Sequence, residues 1–166
     1  AGKSSALNAL CQQKGLARTS KTPGRTQQLV YFEVAPDRYL VDLPGYGYAQ
    51  VPPELRAHWL AFINRYFEIR EALAGLVVVM DCRHPLREYD LQMLDYAAAR
   101  RMPAHCLLTK ADKLGRGEQG KVLAAVRREL LSRYAESVSV QLFSSDSKLG
   151  VDEARAVVTG WLQLRD

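Results

Sequence analysis

The chain has 166 residues, 48% of them apolar and 25% charged, with a net charge of +5. That length fits one domain with a substantial core, and the composition is ordinary for a soluble globular protein. No apolar run approaches the ~20 residues that cross a bilayer, so membrane-spanning helices are excluded. The small basic surplus fits either a solvated surface or a polyanionic partner such as RNA or nucleotide phosphates.

In chain order, residues 4–13 read as a short helix with Leu7 and Leu10 on one side and a stop at Lys14-Gly15. Residues 14–25 are polar, carry Gly15, Pro23 and Gly24, and read as a loop. The β-branched and aromatic stretches 28–34 and 38–41, joined at Pro36-Asp37, predict a hairpin. Residues 43–53, with three prolines and two glycines, are irregular. Residues 54–72 carry Leu55, Trp59, Phe62, Ile63 and Tyr66 at helical spacing.

The continuous apolar run 76–80, ending at Asp81, predicts a strand buried on both faces. A helix follows at 88–100 with Leu91, Leu94 and Tyr96 toward the core, then a buried strand at 104–108. Residues 117–134 read as a strongly amphipathic helix carrying Val122, Leu123, Val126, Leu130 and Leu131. A strand at 138–143 and a closing helix at 152–164 complete the pattern. Strands alternating with helices argue for an α/β fold: a mostly parallel sheet, helices on both faces, and the early hairpin adding one antiparallel edge strand.

Of the three cysteines, Cys11, Cys82 and Cys106, none forms a C-x-x-C pair or a zinc-spaced cluster with histidine. An odd count without a disulfide framework suits a reducing compartment. Cys82 and Cys106 lie in or beside apolar runs and read as small core residues.

Sheets of this kind bind ligands at the carboxyl ends of their strands, so the residues there carry the functional argument. Ala1-Gly2-Lys3-Ser4-Ser5 before a helix matches the last part of the phosphate loop G-x-x-x-x-G-K-S/T. In that role Gly2 lets the backbone wrap phosphates, Lys3 reaches the β- and γ-phosphates, and the Ser4 hydroxyl ligates Mg²⁺. A bare Gly-Lys-Ser is also an ordinary turn with Ser4 as helix N-cap. The chain opens in the middle of this motif, so an upstream segment is expected.

Asp42-Leu43-Pro44-Gly45 follows a strand; Asp42 can hold Mg²⁺ and Gly45 can offer its N–H to a γ-phosphate, although D-x-x-G is also a common turn. Thr109-Lys110-Ala111-Asp112 matches the T-K-x-D that reads guanine. Its carboxylate accepts from guanine N1–H and the 2-amino group, donors that adenine lacks there. The Lys110 stem can lie over the base. Phe143-Ser144-Ser145, ahead of Lys148-Leu149-Gly150, fits a loop supporting the base from the other side. In the loop before the hairpin, either Thr22 or Thr26 fits a hydroxyl that completes a Mg²⁺ shell when a γ-phosphate is present. Five weak motifs in one order, four of them at element ends, point to a guanine-nucleotide switch.

With Lys21-Thr22-Pro23-Gly24-Arg25-Thr26-Gln27, Asp42-Leu43-Pro44-Gly45-Tyr46-Gly47-Tyr48-Ala49 and Asp81-Cys82-Arg83-His84-Pro85 added to these motifs, the chain resembles the EngB/YihA (YsxC) ribosome-biogenesis GTP-binding proteins over essentially its whole length. The resemblance implies a P-loop GTPase fold whose first central strand lies upstream of this chain. It implies one cytoplasmic, monomeric GTPase domain over 1–166, acting on the large ribosomal subunit or its rRNA, with a link to cell division and septation and without a membrane. Mg²⁺ and GTP or GDP are the implied ligands, and Ser4, Thr26 and Asp42 the metal residues. Thr26 rather than Thr22 is implied because it falls in Gly-Arg-Thr-Gln. The implied catalytic residues are Lys3, Thr26 and Gly45. The implied nucleotide contacts are Gly2 to Ser5; Gly24, Arg25, Thr26, Gln27 and Gln28; Asp42 to Gly45; Thr109 to Asp112; and Phe143 to Ser145.

Tyr46 stands where other GTPase switches carry a water-orienting Gln, which predicts slow intrinsic hydrolysis. Tyr46 and Tyr48 read equally as loop packing or as RNA-stacking residues. Asp81 to Pro85 has a strand-end address without chemistry readable from its residues, and Arg100-Arg101 and Arg127-Arg128 are candidate RNA contacts or solvated faces. The rival functional class is a nucleotide-gated rRNA-binding module with incidental hydrolysis; an ATPase is a weaker rival.

Overall fold

The structure, a computed structural model, describes residues 3–12, 17–21, 29–35, 38–42, 61 and 73–162. The chain divides into two units, Cys11–Ala72 on one side and Ala1–Leu10 with Leu73–Asp166 on the other. The helix expected over 54–72 lies outside the described residues except for Ala61, which is helical. The irregular stretch 43–53 lies outside them entirely.

In the first unit, β1 (Ala17–Lys21), β2 (Leu29–Ala35) and β3 (Arg38–Asp42) form an antiparallel sheet in that order. The expected hairpin is present as β2 and β3, with Val30 opposite Asp42 and an irregularity between Glu33 and Ala35. The loop expected over 14–25 is corrected: β1 pairs with β2 from Ala17 opposite Glu33 to Lys21 opposite Leu29. Ala-Arg-Thr-Ser-Lys has no apolar alternation to announce a strand. An edge strand needs only a backbone ladder from its neighbour, and polar or lysine-bearing edges are common.

In the second unit, β4 (Leu76–Asp81), β5 (Ala104–Thr109) and β6 (Val138–Leu142) form a wholly parallel sheet with β5 in the middle. The crossovers are α2 (Glu88–Ala99), which packs against β4, and α3 (Arg116–Tyr134), which packs against β6. Every residue of β5 is buried, whereas β4 alternates between buried and half-buried positions. That difference follows from strand position, since a middle strand is covered on both faces and both edges.

Two more helices complete this unit, α1 (Lys3–Gln12) and α4 (Val151–Leu162). Ala6, Ala9 and Leu10 of α1 share one cluster with Leu107, Phe143, Val151 and Ala154, and Val77 and Val79 pack against it. These strand residues alternate with Val78, Met80, Cys106 and Leu108, so α1 and α4 sit on one face of the sheet. Two small alanines on α1 allow that close approach; Leu7, expected in the core with Leu10, is only half-buried. Arg155 of α4 donates from Nε to Leu10 O at 3.2 Å and from Nη2 to Ala9 O at 3.1 Å. These carbonyls belong to the last turn of α1, where orphan acceptors and the negative dipole end favour a guanidinium. At the other end of the sheet a Cβ on Gly75 would run into the Trp161 ring, so the bare backbone there admits the indole.

Cys82 and Cys106 are buried as expected, and burial pushes the Cys106 thiol up to about 12. On α2 the core residues are Met93, Leu94, Ala97 and Asp90, while the expected Leu91 and Tyr96 are half-buried. On α3 only Val126 and Leu130 are fully buried; Val122 and Leu123 are half-buried and Leu131 is 59% exposed. The stripe 122, 126, 130 faces inward, and Leu131 lies one residue, or about 100°, beyond its centre.

Asp90 illustrates a buried charge with a measurable consequence. It is 5% exposed, accepts a hydrogen bond from Arg87 N at 3.0 Å, and burial raises its pKa from 3.8 to about 6. The protonated form is therefore favoured in the folded chain. Its contribution is full below 3.8 and is lost as pH rises through about 6. Asp90→Asn keeps an acceptor for Arg87 N–H without a charge. Thermal unfolding should show this variant more stable than the parent above pH 6 by about 1–2 kcal/mol, with the difference vanishing in acid.

Candidate functional site

The chemistry-bearing residues of the second unit collect at the carboxyl ends of β4, β5 and β6. The β5 end is anchored first. Thr109 is buried and its Oγ1 donates to Met80 O at 3.1 Å, tying β5 to β4. Lys110 then adopts a left-handed conformation (φ 59°, ψ 33°), which costs a non-glycine residue roughly 1–2 kcal/mol. The turn is held because Lys110 O accepts from Lys113 N at 2.9 Å and Ala111 N donates to Phe143 O at 3.1 Å. Gln119, from the first turns of α3, donates to Ala111 O at 2.7 Å and Leu114 O at 3.1 Å.

The β6 end meets this turn. Phe143 and Ser144 are wholly buried, and Ser144 Oγ donates to Asp112 Oδ1 at 2.7 Å while accepting from Ser147 N at 3.1 Å. Because the hydroxyl accepts from Ser147, its single proton is directed at Asp112. One carboxylate oxygen of an exposed aspartate is thereby fixed in place. A carboxylate has about four acceptor sites, so this arrangement can still accept a pair of N–H donors from a planar base edge. The loop after Ser144 closes through Ser144 N to Leu149 O at 2.9 Å and turns through Lys148 (φ 66°) and Gly150 (φ 77°).

A buried polar chain supports that loop from below. Gln141 Nε2 donates to Leu142 O at 3.0 Å and Gly150 O at 2.8 Å, which turns Oε1 toward His105 Nε2 at 2.7 Å. His105 Nε2 is therefore the donor. Burial lowers the His105 pKa, so the ring is neutral and its Nδ1 accepts from Ser139 Oγ at 2.6 Å.

The β4 end carries Asp81. Its Oδ1 accepts from Arg83 N at 2.9 Å and Arg83 Nε at 3.0 Å, and its Oδ2 from Arg83 Nη2 at 2.8 Å. These hydrogen bonds hold the Asp81 carboxyl well below the usual carboxylate range, against its partial burial. Lys110 Nζ lies 3.8 Å from the same Oδ2. His84 N donates to Asp81 O at 2.9 Å, and the His84 and Arg83 side chains are exposed. The arginines proposed as RNA contacts, Arg100, Arg101, Arg127 and Arg128, are also exposed.

Thr109 to Asp112 and Phe143 to Ser145 are thus brought together. Lys3 begins α1, placing Ser4 and Ser5 in its first turn, inside the helix rather than at its cap. Asp42 is the last residue of β3. Gly2, Gly24 to Gln28 and Leu43 to Gly45 lie outside the described residues, as do Thr22, Tyr46 and Tyr48. Sequence reasoning missed Gln119, Gln141 and His105. A lone glutamine on a helix and a polar pair inside two strands give no pattern; Gly150 was visible only as a loop glycine.

The model of a family described as 50S ribosome-binding GTPase matches residues 1–110. A probable GTP-binding protein EngB from Xanthomonas axonopodis pv. citri is 68% identical over 164 residues, covering 99% of this chain and 77% of the relative. The chain belongs to the EngB family. An EngB protein from Stenotrophomonas maltophilia is 67% identical, with 99% and 82% covered. The solved structure of a probable EngB protein superposes with a TM-score of 0.73 at 17% identity, covering 99% of this chain and 94% of that one. Elongation factor SelB from Methanococcus maripaludis, solved with the GTP analogue GppNHp, gives 0.65 at 14% identity, with 99% and 32% covered. This EngB-family chain is therefore a GTP-binding GTPase with the P-loop GTPase fold. Among the described residues no helix is long and apolar enough to cross a membrane.

Proposed function

We propose that this GTPase is a nucleotide-controlled switch in assembly of the large ribosomal subunit, with guanine read by Asp112 and Mg²⁺ held by Ser4, Thr26 and Asp42. The observation that carries the guanine reading is the Ser144–Asp112 hydrogen bond, which orients the carboxylate and joins the β5 and β6 loops. Lys110 lies over the base, and the Phe143 to Ser145 backbone closes on its other side. Gly2, Lys3, Ser4 and Ser5 surround the phosphates at the start of α1, where free N–H groups and the dipole favour anions. Gly24 to Gln28 and Asp42 to Gly45 complete the nucleotide contacts, with the Gly45 N–H toward the γ-phosphate.

Two hydroxyls and a carboxylate are the hard oxygen donors that Mg²⁺ takes, so the residues fit the metal. When bound, Mg²⁺ supplies positive charge to the β- and γ-phosphate oxygens. Lys3 adds charge at the transferring phosphoryl group, and Thr26 ties the loop before the hairpin to the triphosphate state, releasing it after hydrolysis. Tyr46 cannot orient water as a glutamine does, so hydrolysis is slow until a partner completes the site. The family description, 50S ribosome-binding GTPase, supports the large subunit as that partner. In this reading the protein acts as a cytoplasmic monomer.

Single-turnover GTP hydrolysis with and without purified large subunits tests this. At least about tenfold stimulation is expected, a conservative floor beside the roughly 10³–10⁵-fold that a partner-supplied arginine gives other GTPases. Rapid hydrolysis without a partner contradicts it, and binding to subunits without stimulation favours an rRNA-binding module in which hydrolysis is incidental.

A further inference from the structure

We propose that Asp81 and Arg83 form a clamp that positions Lys110 over the guanine base, making them positioning residues for nucleotide binding. The inference rests on the reading of Thr109 to Asp112 as the guanine loop. Asp81 and Thr109 are opposite each other in the parallel ladder. Beyond them Cys82 N donates to Thr109 O at 3.0 Å and Cys82 Sγ lies 3.5 Å from Lys110 O, so residues 81–83 run alongside the guanine loop. The guanidinium of Arg83 locks the Asp81 carboxylate through two hydrogen bonds and the Arg83 backbone N–H adds a third, and Lys110 Nζ meets its Oδ2 at 3.8 Å.

A lysine stem covers a base only while its ammonium is held at the far end, because four rotatable bonds otherwise spread it over many rotamers. Arg83 is long enough to neutralise Asp81 by itself, yet the carboxylate is placed where a second cation reaches it. The Asp81 side chain is 16% exposed against 44% for Lys110, so the anchor is the better shielded partner. Asp81 stays ionised throughout the neutral range, which makes the clamp constitutive rather than a pH switch.

Competition of GDP against a fluorescent GDP analogue, measured on a double-mutant cycle, tests the clamp. Asp81→Asn should weaken GDP binding about fivefold, the upper range for a partly exposed ion pair. The same substitution should have no effect in a Lys110→Met background. Arg83→Gln, which leaves Asp81 in place, should give a smaller loss with the same dependence on Lys110. Equal losses in both backgrounds would show a merely structural role and overturn the proposal, as would no loss from either substitution. If Lys110→Met alone leaves GDP affinity unchanged, the ammonium needs no anchor and the clamp fails while the Asp112 reading stands; if the unaltered protein does not prefer GDP to ADP, the guanine-loop reading itself fails and takes the clamp with it. If Lys110→Met weakens binding and shows no coupling to Asp81, the clamp alone fails.

Discussion

Asp112→Asn is expected to lower GDP affinity by about 10²–10⁴-fold and to create a preference for xanthosine diphosphate. The direction follows from one proton. Ser144 Oγ accepts from Ser147 N and so donates to position 112. An asparagine there keeps its oxygen toward Ser144 and presents its NH₂ to the base. Guanine offers N1–H and a 2-amino group at that edge, so donors face donors in a partly desolvated site. Xanthine has an oxygen at the 2-position and accepts. Competition binding of GDP, xanthosine diphosphate and ADP to the variant reads the exchange directly; retention of GDP preference removes Asp112 from base recognition. The β5–β6 loop contact should survive, so unfolding should shift little.

Gly150→Ala carries the largest expected structural effect. Gly150 has φ 77°, a region that L side chains rarely adopt, and an added Cβ would collide with Leu142 O and come within 2.5 Å of Gln141 Nε2. The backbone carbonyl cannot move without breaking β6, and the amide cannot move without losing its bonds to Leu142 O, Gly150 O and His105. The 144–150 loop must shift instead, taking Ser144 from Asp112. A stability loss of about 3 kcal/mol is expected by thermal or urea unfolding, combining left-handed strain with overpacking. GDP affinity should fall at least tenfold in the same protein, since the loop that aims the carboxylate is displaced. Near-wild-type stability with lost binding would separate the two effects and point to local rather than global strain.

The second unit was readable because its residues obey strong periodicities. The runs 76–80, 104–108 and 138–143 are short, mostly apolar and separated by helical stretches, which favours strands of a parallel sheet, and they pair as one. The helices came out within two residues of their observed ends. What failed depended on neighbours remote in sequence. β1 is polar and exists as a strand through its ladder to β2. Arg155 reaches the last turn of α1 across about 145 residues, and no local pattern encodes that. Leu131 followed the helical period and still faces solvent, because it lies about 100° round the helix from the line through the buried Val126 and Leu130.

The site shows the same division. Thr109 to Asp112 was recognisable because its chemistry is carried by residue type. Asp81 to Pro85 was placed at a strand end but had no readable role, because its meaning lies in the parallel register that sets Asp81 against Thr109. The His105–Gln141 chain was invisible, since a buried polar pair on adjacent strands looks like an interruption of each strand until both are seen together.

The claim that these loops read guanine is tested most directly on the unaltered protein, by titration calorimetry with GDP and with ADP under identical Mg²⁺ and salt. A hydrogen-bonding edge that adenine leaves unpaired predicts GDP binding at least about 10³-fold tighter. Comparable affinities for the two nucleotides would contradict the account.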